Sequence, residues 1–124
     1  MSTPFSLFTT PKAVEARSSV FHLKNRLAWG EPALTILDVR ERADFHQGHI
    51  QGAISIPLAE LATISLLSLE YERDIYVYGE TNEQSAEAAN QLRSAGYCHV
   101  AELDGGLVAW KVAGGAIAGR AKVD

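Results

Sequence analysis

The sequence predicts an α/β fold in which a mainly parallel central β-sheet is flanked by helices. Three observations carry that expectation. Short apolar runs rich in β-forming residues stand at 34–39, 74–78 and 99–103, with the near-continuous hydrophobic character of strands buried on both faces. Segments of helical composition separate them, so strand and helix alternate along the chain. Glycine and proline punctuate the junctions, at Gly30, Pro32, Gly48, Pro57, Gly96 and the pairs 105–106 and 114–115.

Taken in order, Thr9, Thr10 and Pro11 look like a helix start, with Thr10 as cap and Pro11 in the first turn. The predicted helix spans 11–28, with Val14, Val20, Phe21, Leu23, Leu27 and Trp29 as candidates for one apolar side. Residues 34–39 form the first strand, and polar residues 41–47 a short helix ending at Gly48. Residues 53–56 form a second short strand stopped by Pro57, and 58–69 carries a helical face of Leu58, Leu61, Ala62 and Leu66. A strand at 74–78 leads into a polar loop at 79–84. The helix at 84–95 is favoured by its Ala, Glu, Gln, Leu and Arg content and closed by Gly96. A strand at 99–103, a turn at 104–106 and a short helix at 107–112 complete the series.

Composition narrows the function classes. The chain has 124 residues, 47% hydrophobic and 21% charged, which suits a globular domain with a core of its own. A net charge of −4 without any run of Lys or Arg argues against nucleic acid and against an anionic membrane surface. Cys98 is the only cysteine, so neither an internal disulfide nor a thiolate metal cage is expected. His22, His46, His49 and His99 show no ligand spacing, and no metal or cofactor is expected. The first residues lack the charged start and apolar run of a signal peptide, and no apolar stretch has the length of a membrane span. A cytoplasmic protein is expected.

Two motifs carry a resemblance. Asp38-Val39-Arg40, Phe45 and the run from Gly48 through His49, Gly52 and Ile56 to Pro57 resemble the first signature of rhodanese-like domains. Asp104-Gly105-Gly106-Leu107-Val108-Ala109-Trp110 resembles the closing signature. The resemblance spans roughly 34–115 and implies a three-layer rhodanese-like fold. It divides the chain into an N-terminal extension with a helix (1–30), a rhodanese-like domain (31–115) and a loose tail (116–124). His49 is expected to hold its turn by hydrogen bonding. Asp38 and Arg40 lie at the carboxyl end of a strand, where ligands of parallel sheets collect. Either they form a candidate pocket wall or they pair with each other.

Sulfur transfer needs a thiolate that can accept a sulfane sulfur as a persulfide. The family places that cysteine directly after the central strand, in a loop whose N–H groups and helix N-terminus hold the anion. Here the loop reads Gly79, Glu80, Thr81, Asn82, Glu83, Gln84 and Ser85. The resemblance puts the cysteine position on Gly79 and the position that is often arginine on Gln84. No catalytic residue is assigned, and the loop is expected to be vestigial. Glu80 and Glu83 either fill the anion site from within or point to solvent and favour the helix start. At ~5 Å and an effective dielectric near 20, each carboxylate would repel a bound anion by about 3 kcal/mol before screening.

Cys98 is a poor replacement nucleophile. It precedes its strand, whereas Gly79 follows its own, and a helix of ~11 residues between them separates the two edges by about 16 Å. Cys98 is expected to be a small, partly buried apolar residue, and Trp29 and Trp110 packing anchors.

The first functional expectation is therefore a rhodanese-like domain without sulfurtransferase activity, acting as a binding or regulatory module. A protein partner would meet the 79–85 loop or the N-terminal helix. The alternative is a sulfurtransferase, or a phosphatase of the same cysteine-loop class, with an unidentified nucleophile.

Overall fold

A computed structural model describes residues 16–30, 33–61 and 69–119. Eleven elements follow in order: β1 (Arg17–Ser18), α1 (Val20–Ala28), β2 (Leu34–Asp38), α2 (Arg42–Gln47), β3 (His49–Ile50), β4 (Ile54–Ser55), β5 (Asp74–Tyr78), α3 (Asn82–Ser94), β6 (His99–Leu103), α4 (Gly106–Val112) and β7 (Ile117–Ala118). The main sheet has the order β1-β6-β5-β2-β4. Every pairing within it is parallel, with Leu34 opposite Asp74 and Asp74 opposite His99. β3 and β7 form a separate antiparallel pair.

The predicted three layers follow from side-chain alternation along the strands. On one face, Leu37, Ile75, Val77 and Val100 pack against Ala88, Ala89 and Leu92 of α3. On the other, Ile36, Tyr76, Tyr78, Ala101 and Leu103 pack against Val20 and Leu23 of α1 and Trp110 of α4. β2, β5 and β6 are thus covered on both sides, which is why their sequences read as apolar runs.

Four expectations change. The described part of the 11–28 helix is not helical at its start: residues 17–18 are a strand beside β6, and Ser19 caps α1 by accepting the His22 N–H at 3.2 Å. The Thr10 cap and Pro11 lie outside the described residues. The tail is partly anchored, since Ile117 and Ala118 pair with Ile50 and His49. Trp29 is not a packing anchor but 83% exposed, since the buried residues of α1 are Val20 and Leu23. Trp110 is one, buried with its indole N–H donating to the Ala116 carbonyl at 2.9 Å. Of the 58–69 helix, residues 58–61 form a short 3₁₀ turn, and 62–68 lie outside the described residues.

Candidate functional site

β2 and β5 end side by side, with Asp38 opposite Tyr78. Parallel pairing therefore brings Arg40 and the segment after Tyr78 to the same edge. The turn before α4 completes the enclosure. Gly105 and Gly106 have φ of 80° and 52°, a conformation that favours glycine, and an added Cβ on Gly106 would lie 3.4 Å from the Gly79 carbonyl oxygen. The result is an open cavity of about 260 Å³ lined by Arg40, residues 79–82 and residues 105–108. A second hollow of about 380 Å³ shares Arg40 and Leu107 and extends to Asp44 and Lys111.

Asp38 and Arg40 pair with each other, and of the two only Arg40 lines the cavity. The Asp38 carboxylate is fully buried and accepts from the Arg40 backbone N–H at 3.0 Å. It also accepts from Arg40 Nε and Nη2, at 3.0 and 2.6 Å. Nη2 donates further to the Gly48 carbonyl at 2.7 Å. The guanidinium lies 5.6 Å from the Tyr78 ring centre and forms part of the cavity wall. Burial opposes the Arg40 charge, yet hydrogen bonding and attraction from Asp38 outweigh it, so the group is held still more firmly protonated. Tyr78 is pushed well above the ordinary phenol range by burial and by its hydrogen bond to Asp38. Its hydroxyl also accepts the Ile50 N–H at 3.0 Å. Tyr78 is thus a neutral strut tying the strand end to β3.

His49 holds its turn as expected. Nδ1 lies 2.7 Å from the Phe45 carbonyl, which can only accept, so Nδ1 carries a proton. The imidazole stacks on Phe45 with ring centres 3.6 Å apart.

The 79–85 segment differs from its sequence reading. The helix starts at Asn82 rather than near Gln84, and Thr81 is its cap, accepting the Gln84 N–H at 3.1 Å. Glu80 and Glu83 are exposed, with Glu83 in the first helical turn. They do not fill the loop. Gln84 and Ser85 do: Gln84 Oε1 accepts the Glu80 N–H at 2.6 Å, and Ser85 Oγ accepts the Gly79 N–H at 2.9 Å. Asn82 fastens the segment to the opposite wall, donating to Asp104 and accepting the Gly105 N–H, each at 3.2 Å. The sequence did carry a signal for this. Thr81 followed three residues later by Gln84 is the pattern of a capping box, in which the glutamine side chain turns back to the N–H of the cap residue; here it reaches one residue further, to Glu80.

Cys98 stands at the amino edge, just before β6, while Gly79 follows β5 at the carboxyl edge. It is exposed rather than partly buried, because it sits in the turn outside the strand, with Sγ 3.7 Å from the Gly96 carbonyl. Among the described residues no cluster of three or more His, Cys, Asp or Glu has the arrangement of a metal site. No helix among them is long and apolar enough to cross a membrane.

Comparison with known proteins matches this arrangement to one family. The profile of the rhodanese-like domain covers residues 20–113, and the chain belongs to that family. The Alr3790 protein from Anabaena sp., known from a crystal structure, is 55% identical with a TM-score of 0.79, over 82% of this chain and 91% of that one. A sulfurtransferase of Allochromatium vinosum is 34% identical over 88 residues, 71% of this chain and 80% of that protein. The uncharacterized protein slr1261 of Synechocystis sp. is 39% identical over 84 residues, and this chain spans only 46% of its length. Some relatives are thus named as sulfurtransferases and others carry no assigned activity.

Proposed function

We propose that this rhodanese-like domain does not transfer sulfur and acts as a binding or regulatory module. The observation that carries the reading is the make-up of the carboxyl-edge cavity. It is walled by Arg40, residues 79–82 and 105–108, and contains no thiol. The family's cysteine position falls on Gly79, and the single cysteine of the chain is at the other edge. No other side chain on this wall can carry a persulfide. A partner protein meets the exposed tip formed by Glu80, Thr81, Asn82 and Glu83. A cytoplasmic setting belongs to the same proposal and rests on the exposed thiol, which a reducing compartment preserves.

A relative named as a sulfurtransferase favours the rival reading, in which this chain also transfers sulfur. Thiosulfate:cyanide sulfurtransfer by the purified protein separates the two. The expected rate is background, equal in wild type and Cys98→Ser. A saturable rate well above background in both variants defeats the proposal.

A further inference from the structure

The backbone does not explain the glycine at position 79. Gly79 is absent from the set of glycines with positive φ, so its main chain is open to any residue. The restriction comes from a side chain. A Cβ placed at 79 would lie 2.5 Å from Gln84 Oε1 and 3.0 Å from both Gln84 Cβ and Cγ. A clash with the amide tip alone would be relieved by a small swing. Contact with the stem as well means that Gln84 must give by a few tenths of an ångström at its Cβ and Cγ while its tip moves further, away from the Glu80 N–H. Gln84 is held from its main chain as well, through the Thr81 hydroxyl. The Gly79 N–H is taken by Ser85 Oγ, which donates in turn to the Thr81 carbonyl at 3.2 Å. The loop therefore satisfies its N–H groups at 79, 80 and 84 from its own side chains.

We infer that Gln84 is an internal occupant of this loop, holding the space that a nucleophilic side chain at position 79 would need. Resting on the non-catalytic reading above, the inference adds that the loop is closed by two interlocked residues. Glycine at 79 leaves room for glutamine at 84, and glutamine at 84 in this pose disfavours any side chain at 79. The loop is thereby a self-filled, rigid surface. Replacing the missing thiol alone does not reopen it.

A double-mutant cycle tests the interlock. In a Cys98→Ser background, Gly79→Cys, Gln84→Ala and the double variant are compared for urea unfolding and for reaction with thiosulfate. In that reaction the position-79 thiolate attacks the outer sulfur of thiosulfate. A new S–S bond forms, the old one breaks, and its electron pair leaves with sulfite. Mass spectrometry reads the gain of one sulfur atom on the protein. The double variant is expected to gain sulfur about tenfold faster than Gly79→Cys alone. It is also expected to unfold at higher urea than the two single effects combined would predict. Equal sulfur gain together with additive midpoints overturns the inference.

The amide resonance of Glu80, compared between wild type and Gln84→Ala, gives a readout that needs no new thiol. It is expected to move upfield when its acceptor is removed, and an unmoved resonance overturns the occupant assignment even if a Gly79 variant fails to fold. Sulfur transfer by the wild-type chain would instead defeat the functional proposal while leaving the cycle and the amide shift to stand or fall by themselves.

Discussion

The two edges of the central sheet use polar groups with different emphasis. At the carboxyl edge, side chains turn onto nearby backbone: Gln84 onto Glu80, Ser85 onto Gly79, and Arg40 onto Gly48 as well as onto Asp38. These contacts shape loops around a cavity. At the amino edge, side chains mainly join neighbouring elements. Arg26 of α1 donates to Asp74 at 2.9 Å and to the Tyr76 hydroxyl at 3.1 Å, and His99 Nδ1 lies 3.2 Å from the same Asp74. Arg73 reaches Thr35 at 2.5 Å and the Leu34 carbonyl at 2.9 Å. One edge is organised to present a surface, the other to hold the starts of strands together. The difference follows from parallel topology, which puts all strand ends and their following loops on one side.

The sharpest way to break this contrast is to remove Asp38. Its carboxylate is fully buried and compensates the Arg40 charge, so Asp38→Ala leaves a largely buried cation at the cavity wall without its counter-ion. The expected loss is about 3–4 kcal/mol, measured by urea unfolding. Asp74→Ala at the amino edge is the matched comparison. Both partners of its ion pair are 12% exposed, and Arg26 keeps the Tyr76 hydroxyl, so the expected loss is about 1.5 kcal/mol by the same measurement. Equal losses at the two sites would erase the distinction between a buried shaping network and a tying network.

The smallest effect lies at the surface, in the exposed pair of Arg42 and Glu60, whose contacts are 2.8 and 2.9 Å. Hydrogen bonding to Arg42, aided by its charge, holds the Glu60 carboxyl below the ordinary range. Because the folded value is depressed, the contribution is complete above the unfolded value and is lost as pH falls through the folded one. Arg42→Gln is therefore expected to lower the urea midpoint slightly at neutral pH. The difference should shrink as pH falls below the ordinary carboxylate range, where Glu60 becomes protonated in the folded state too. A difference that persists in acid would assign the effect to packing.

Much of this architecture is legible in the sequence, for identifiable reasons. β2, β5 and β6 announce themselves because burial on both faces selects unbroken apolar runs. β1, β3 and β7 have two residues each and are held by backbone pairing, which leaves no periodicity to read. At the N-terminal helix the cap of the described segment is Ser19, whose short side chain carries no periodicity to mark it, and the Thr10–Pro11 signal lies outside the described residues. Phe21, Leu27 and Trp29 suggest a wider apolar face than the helix buries, since only Val20 and Leu23 reach the core. At the loop, the identity of Gly79 was readable, but its dependence on Gln84 was not. That dependence lies in a side-chain rotamer, and only the Thr81–Gln84 spacing hints at it.

Cys98 gives the molecule one further property. It is the chain's sole thiol, it is solvent-exposed, and it sits on the edge facing away from the Gly79 cavity. A maleimide dye or a spin label attached there marks the domain at one defined point. The opposite edge stays free for whatever docks on it, so the unaltered protein can serve as its own reporter in a search for that partner.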